Sequence, residues 1–227
     1  MERLIDYNPI VSFRDVEKQF LGAAVLKGVS LDINRAELVS ISGHSGSGKS
    51  TILRIMQLIE TPDSGQVSIF GHDATRLSDR QKNRLVSERI GVGFQSPMLL
   101  GNHSVWDNIM LAQDFKRSRP STKSILELMA EFGLDYRTKP KQLASTLSGG
   151  EQMKVALVRS LASQPELVLL DEPTSAVDSA GTKQIFEGLH NIVKNMGISV
   201  VAVNHDADLT RQYCDREIVV EGGLIVA

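Results

Sequence analysis

Gly43-His44-Ser45-Gly46-Ser47-Gly48-Lys49-Ser50 fits the pattern G-x-x-x-x-G-K-[ST] at every fixed position. It follows the apolar run Leu38–Ser42 and opens the stretch Ser50–Ile59, where Ile52, Ile55, Met56 and Ile59 recur at helical spacing. Strand, glycine-rich turn and helix in that order make a phosphate cradle. The glycines let backbone N–H groups converge on phosphate oxygens, and the helix N-terminus adds the positive end of its dipole. Lys49 supplies a point charge for the β- and γ-phosphates of a nucleotide, and the Ser50 hydroxyl suits Mg²⁺. Thr51 follows in the first helical turn and counts with the nucleotide-contacting residues. His44 and Ser45 fill variable positions and belong to the cradle by place alone.

Outward from the loop, apolar runs alternate with helical patterns. Ile10–Phe13, Phe20–Leu26 and Val29–Ile33 read as strands before Leu38–Ser42, and Gln66–Phe70 as another after the stop Thr61-Pro62-Asp63-Ser64-Gly65. Ser78–Val86 reads as a polar helix and Ile90–Phe94 as a short buried strand. Residues 97–164 are mostly helical, with Ile125, Leu128, Met129 and Phe132 on one face and Gly133 as a C-cap. Strands Glu166–Leu170 and Ile198–Asn204 flank a helix over Ser179–Met196, and a short helix and Arg216–Val220 close the pattern. Buried strands alternating with helices indicate an α/β fold with a parallel sheet. The expected division is one domain over 1–227, its core and strands in 1–96 and 165–227, and an inserted helical subdomain in 97–164.

Composition narrows the class. The chain has 227 residues, 41% of them apolar and 23% charged, as in ordinary globular proteins. A formal net charge of -2 gives no basic field to recruit nucleic acid. A lone cysteine, Cys214, excludes an internal disulfide framework and fits a reducing cytoplasm. Met1–Ile10 lacks the apolar centre of a secretion signal, and no apolar run approaches the roughly 20 residues that span a bilayer. Work at a membrane therefore requires a partner.

Ligands of open parallel sheets bind beyond the carboxyl ends of the strands. Four apolar runs here end in polar groups suited to a magnesium nucleotide: the loop itself, Gln95, Asp171-Glu172 and Asn204-His205. Adjacent residues at a strand end point in different directions, so Asp171 can serve the metal while Glu172 faces the attacking water as general base. His205, on the same edge, is placed for the γ-phosphate. Elsewhere, Leu147-Ser148-Gly149-Gly150-Glu151 precedes the helical run Gln152–Ala162. Ser148 can cap that helix, and the glycines expose its first N–H groups to a second anion.

The order and spacing of these features resemble the ATP-binding cassette (ABC) ATPases over about Ile10 to Ile225. The resemblance implies a P-loop fold with a RecA-like, mostly parallel sheet, an N-terminal antiparallel β subdomain and an inserted helical subdomain. By the same resemblance, Gly43, His44, Ser45, Gly46, Ser47, Gly48, Lys49 and Ser50 are Walker A and Gln95 is the Q-loop, with a place at the metal and in catalysis. Ser148, Gly149 and Gly150 form the signature, Asp171 ends Walker B, Glu172 is the catalytic glutamate, Asp178 ends the D-loop and His205 is the switch histidine. Phe20 matches the aromatic position that stacks on adenine. The family further implies head-to-tail pairing of two copies, or of related subunits, around two ATP and Mg²⁺. The signature and Asp178 then act across the interface. Three positions depart from the usual pattern: Val177 for leucine, Ala36 for glycine, and Lys154 for an arginine whose fork a lysine lacks.

A single cassette without a coiled-coil insertion fits the ATPase subunit of a transporter, peripheral on the inner face of the membrane through separate permease subunits. A non-transport ABC ATPase powering a soluble assembly or mechanotransmission complex is the alternative, and a P-loop binder without turnover a third. Leu147–Gln152 is similar to the lipoprotein-releasing, macrolide-efflux and cell-division ATPases, whereas Leu170–Ser175 is equally similar to amino-acid importer ATPases. The neighbourhood Phe94–Leu100 departs from the first group's aromatic-rich pattern. Basic clusters at Lys116-Arg117-Ser118-Arg119 and Arg137–Lys141 either meet anionic headgroups or are solvated loop charges.

Overall fold

A computed structural model describes residues 9–111 and 120–226. Along the chain, β1 (Val11–Phe20), β2 (Ala23–Ile33) and β3 (Leu38–Ser42) lead to the glycine-rich loop and α1 (Lys49–Met56). Then come β4 (Ser64–Ile69), β5 (His72–Asp73), α2 (Asp79–Arg89) and β6 (Ile90–Gly93). The next stretch holds α3 (Val105–Leu111), α4 (Thr122–Glu131) and α5 (Gly149–Leu161). The last elements are β7 (Leu167–Asp171), α6 (Ser179–Met196), β8 (Ser199–Val203), α7 (Ala207–Tyr213), β9 (Arg216–Glu221) and β10 (Leu224–Ile225). No described helix is long and apolar enough to cross a membrane. The readings of Met1–Asn8 and of the cluster Lys116–Arg119 lie outside the described residues.

Two sheets form. The first is antiparallel in the order β2-β1-β4-β5. The second runs β10-β9-β3-β8-β7-β6, with β9, β3, β8, β7 and β6 mutually parallel. Successive side chains of a strand point to opposite faces, so a continuous apolar run must be covered on both sides. Leu167, Leu169, Val201 and Val203 accordingly join a core with Phe13, Ile33, Met56 and Ile69 from the first sheet and α1. Val168, Leu170, Val200 and Ala202 join the other core with Phe132, Leu157 and Leu189 from the helices.

The N-terminal strands differ from the expected set. The expected strand Ile10–Phe13 is the start of a longer one that begins at Val11, and the expected strand Phe20–Leu26 is interrupted by a turn at Leu21-Gly22, both at positive φ (50° and 82°). Leu21 is fully exposed, so its apolar character mimics a strand residue without acting as one. The polar stretch Arg14–Gln19 stays in the ladder because Val16 and the stem of Lys18 are buried, and a bulge at Asp15 (φ 50°) corrects the register. Helix α1 ends at Met56, before Leu58 takes a φ of 60°, which leaves Ile59 exposed rather than on the packed face.

Candidate active site

Because β3, β6, β7 and β8 are parallel, their carboxyl ends share one edge, and the polar residues following them meet there. The loop after β3 takes its shape from glycines at positive φ: Gly43 at 138°, Gly46 at 77° and Gly48 at 112°. A Cβ on Gly43 would stand 2.1 Å from the Val220 carbonyl oxygen, and one on Gly48 2.8 Å from Leu26. Lys49 Nζ donates to the carbonyls of Gly43 (2.9 Å) and His44 (2.8 Å), so the ammonium is folded onto its own loop. Ser47 is buried, and its hydroxyl has no hydrogen-bond partner among the described residues. Thr51 is buried in α1, while His44, Ser45 and Gly46 are exposed on the loop.

Across the edge, the Ser50 hydroxyl lies beside the Asp171 carboxyl. Burial pushes the Asp171 pKa up, and the charge of Glu172 adds to that rise against the pull of Ser50, Arg54 and Lys49. A hydroxyl and a carboxylate side by side, with phosphates completing the shell, suit Mg²⁺, which takes few protein oxygens. No group of three or more His, Cys, Asp or Glu among the described residues could hold a metal alone. The unpartnered Ser47 hydroxyl and the loop glycines likewise fit a phosphate.

Glu172 has a φ of 48°, an uncommon conformation for a non-glycine residue. Its carboxylate lies between two neighbours. Gln95 Nε2 donates to Oε2 at 3.1 Å, and His205 Nε2 lies 2.9 Å from Oε1. Gln95, expected at the metal, contacts Glu172. Asn204, grouped with His205 in the strand-end pattern, turns inward instead. It donates to the Asp206 carbonyl and Thr210 hydroxyl and accepts from the Asp206 amide, fixing the turn that carries His205. An open groove of about 620 Å³ runs beside Glu172, Ser175 and His205.

The signature stretch stands apart from this edge. Ser148 caps α5, accepting from Glu151 N at 3.2 Å, and Glu151 Oε2 accepts from Ser148 N at 3.0 Å. Gly149 and Gly150 face Ala176 and Val177, and Asp178 caps α6 through Gly181 N at 2.7 Å. The residues Ser148–Gly150 and Ala176–Asp178 thus lie together. Phe20 is partly exposed at the end of β1, with Lys18 Nζ 5.2 Å from its ring centre. In the cluster Arg137–Lys141, Lys139 is paired to Glu151 at 2.6 Å. Arg54 and Arg159 carry no motif and escape a reading of the sequence; both emerge only from tertiary contact.

The family described as ABC transporter matches residues 26–175. The chain is 34% identical to the lipoprotein-releasing system ATP-binding protein LolD 2 of Caulobacter vibrioides, over 95% of this chain and 96% of that protein. It is 36% identical to the methionine import ATP-binding protein MetN of Brucella abortus, over 96% of this chain and 58% of that longer protein. Its fold superposes with a TM-score of 0.85 on a dimeric, post-hydrolysis ATP-binding cassette bound to ADP and Pi, at 33% identity and covering 96% and 97% of the two chains.

Proposed function

Given that this chain belongs to the ABC transporter family and is an ATP-binding, ATP-hydrolysing subunit of it, we propose that two copies close head to tail around two Mg-ATP and drive a conformational change in separate membrane subunits. The grip of Gln95 and His205 on the two oxygens of Glu172, at the edge that holds the phosphate loop, carries this reading.

The loop N–H groups and the Ser47 hydroxyl receive the phosphates, and Lys49 exchanges its two carbonyl partners for the β- and γ-phosphate oxygens. Ser50 and Asp171 would hold Mg²⁺, which would neutralise charge on the phosphates. Phe20 stacks on the adenine ring. Glu172 accepts the proton of a water whose oxygen attacks the γ-phosphorus as the bond to the ADP oxygen breaks. Gln95 orients the carboxylate, and His205 bridges it to the γ-phosphate. Ser148, Gly149 and Gly150 reach the nucleotide of the partner copy, and Asp178 links the two sites across the interface.

The relatives named for lipoprotein release and methionine import support a transporter role. The membrane subunits then place this chain at the inner face of the membrane. Phosphate release from Glu172→Gln tests the reading. Turnover is expected to fall at least a hundredfold, about 2.7 kcal/mol of lost transition-state stabilisation, with ATP binding kept and ATP-dependent dimers made long-lived. Equal phosphate release from the variant and the parent would overturn the role of Glu172.

A further inference from the structure

Arg159 lies near the C-terminal end of α5, about 14 Å along the axis from Gly150 at the helical rise of 1.5 Å per residue. Its Nη1 donates to the Met98 carbonyl at 2.9 Å and its Nη2 to the Pro97 carbonyl at 2.8 Å. Among the described residues no carboxylate neutralises it, and burial pushes its pKa below the ordinary arginine value. A half-buried guanidinium held only by backbone carbonyls loses hydration without the return of an ion pair. What it fixes is the chain just past Gln95, where Met98 takes a φ of 49°.

The same end of α5 also presses on the strand that leads into Gln95. A Cβ on Gly91 would stand 2.3 Å from the Ser160 carbonyl oxygen, so β6 meets the helix backbone directly. Two residues on, Gly93 lies against the Leu170 side chain of β7, with Leu157 of α5 at 4.0 Å. Gln95 is therefore bracketed by α5 on both sides, through packing before it and through the Arg159 fork after it.

We infer that Arg159 is a positioning residue for hydrolysis: it ties the far end of α5 to the backbone after Gln95, so that movement at Ser148–Gly150 is passed to the Gln95–Glu172 contact. This rests on the reading in which Glu172 activates water and Ser148–Gly150 close on a partner's nucleotide. A rigid helix carries displacement from end to end, and the planar fork clamps two carbonyls at once, which a lysine ammonium cannot do in the same geometry. Contact alone does not establish coupling, so the test measures coupling directly.

The experiment is a double-mutant cycle in kcat on the full chain, with parent, Arg159→Met, Gln95→Ala and the double variant, each checked by thermal unfolding and ATP titration. Arg159→Met is expected to lower kcat about tenfold with the Kd for ATP within about twofold, and the double variant to be no slower than Gln95→Ala alone. Arg159→Lys falls between parent and Arg159→Met, and it replaces Arg159→Met in the cycle should that protein fail to fold. Losses that multiply in the double variant, or an Arg159→Met enzyme as fast as the parent, overturn the inference and leave the role of Gln95 standing. A Gln95→Ala enzyme as fast as the parent overturns the role of Gln95 and the inference together.

Discussion

Two helix N-termini carry the Gly/Ser stretches of this chain, and they are finished in opposite ways. Helix α1 starts from Gly48 with a φ of 112°, no side-chain cap and no acidic residue in its first turn. Helix α5 starts from Ser148 with a complete capping box, and Lys139 anchors its Glu151. The first four N–H groups of any helix lack partners within it. At α1 they are left for a ligand, whereas at α5 the chain satisfies part of its own need. The glycine-rich loop thus ends in a helix start that the chain leaves uncapped, whereas Ser148–Gly150 is a helix start closed by its own side chains.

Alanine at one glycine of each stretch separates the two most widely. At Gly43 a Cβ collides with the Val220 carbonyl at 2.1 Å in a backbone with φ 138°, and no flexible side chain is there to yield. Gly43→Ala is expected to cost about 3 kcal/mol in urea unfolding, from steric strain and displaced backbone. Gly150 is helical, and its nearest obstacle is Val177 at 3.7 Å. Gly150→Ala should therefore keep or gain up to about 1 kcal/mol of stability, yet lose ATP-dependent dimerisation because the added methyl blocks approach of the partner's phosphate. A Gly150→Ala protein that dimerises with ATP like the parent breaks the comparison.

The serines invert the sign. Ser148→Ala removes the α5 cap and is expected to cost about 1 kcal/mol, a fall in Tm of about 2–4 °C for a chain of this length. The buried Ser47 hydroxyl has no partner to lose, so Ser47→Ala should leave the nucleotide-free Tm unchanged or raised while weakening ATP binding. Thermal melts with and without ATP read both effects, and parallel losses in the nucleotide-free proteins would erase the distinction.

Much of this contrast is legible in the sequence, because each stretch is local. The Gly43–Ser50 pattern, the Ser148 cap and the polar residues closing Leu167–Asp171 and Ser199–Val203 depend on neighbours within a few positions. Propensity and alternation fail where a tertiary contact decides. Leu21 looks like a strand residue but sits in a turn, and the polar run Arg14–Gln19 looks like a loop but is held in a ladder by β2 and β4. The left-handed backbone of Glu172 and the hold of Arg159 on a segment some sixty residues earlier leave no local trace. Long-range backbone contacts carry no period that a sequence window could detect.

The smallest effects are the pH responses of the two carboxylates, and they run in opposite directions. Burial first, then the charge of Glu172, raise the pKa of Asp171. A carboxyl with a raised pKa holds its proton more tightly folded than unfolded. Its contribution to stability is complete below the ordinary carboxylate range, about pH 4, and is lost as pH rises through the raised value. Glu151 is the reverse case, lowered first by its bond from Lys139 and next by the Ser148 amide. Its contribution is present above the ordinary range and lost as pH falls through the lowered value. Nucleotide-free Asp171→Asn should then melt above the parent at neutral pH and converge with it in acid, though its Mg-dependent turnover is lost. Glu151→Gln should melt below the parent at neutral pH and also converge in acid. Melting curves of both variants that stay parallel to the parent from acid to neutral pH would show that neither carboxylate carries the difference between a site held open for a ligand and one already closed by its own chain.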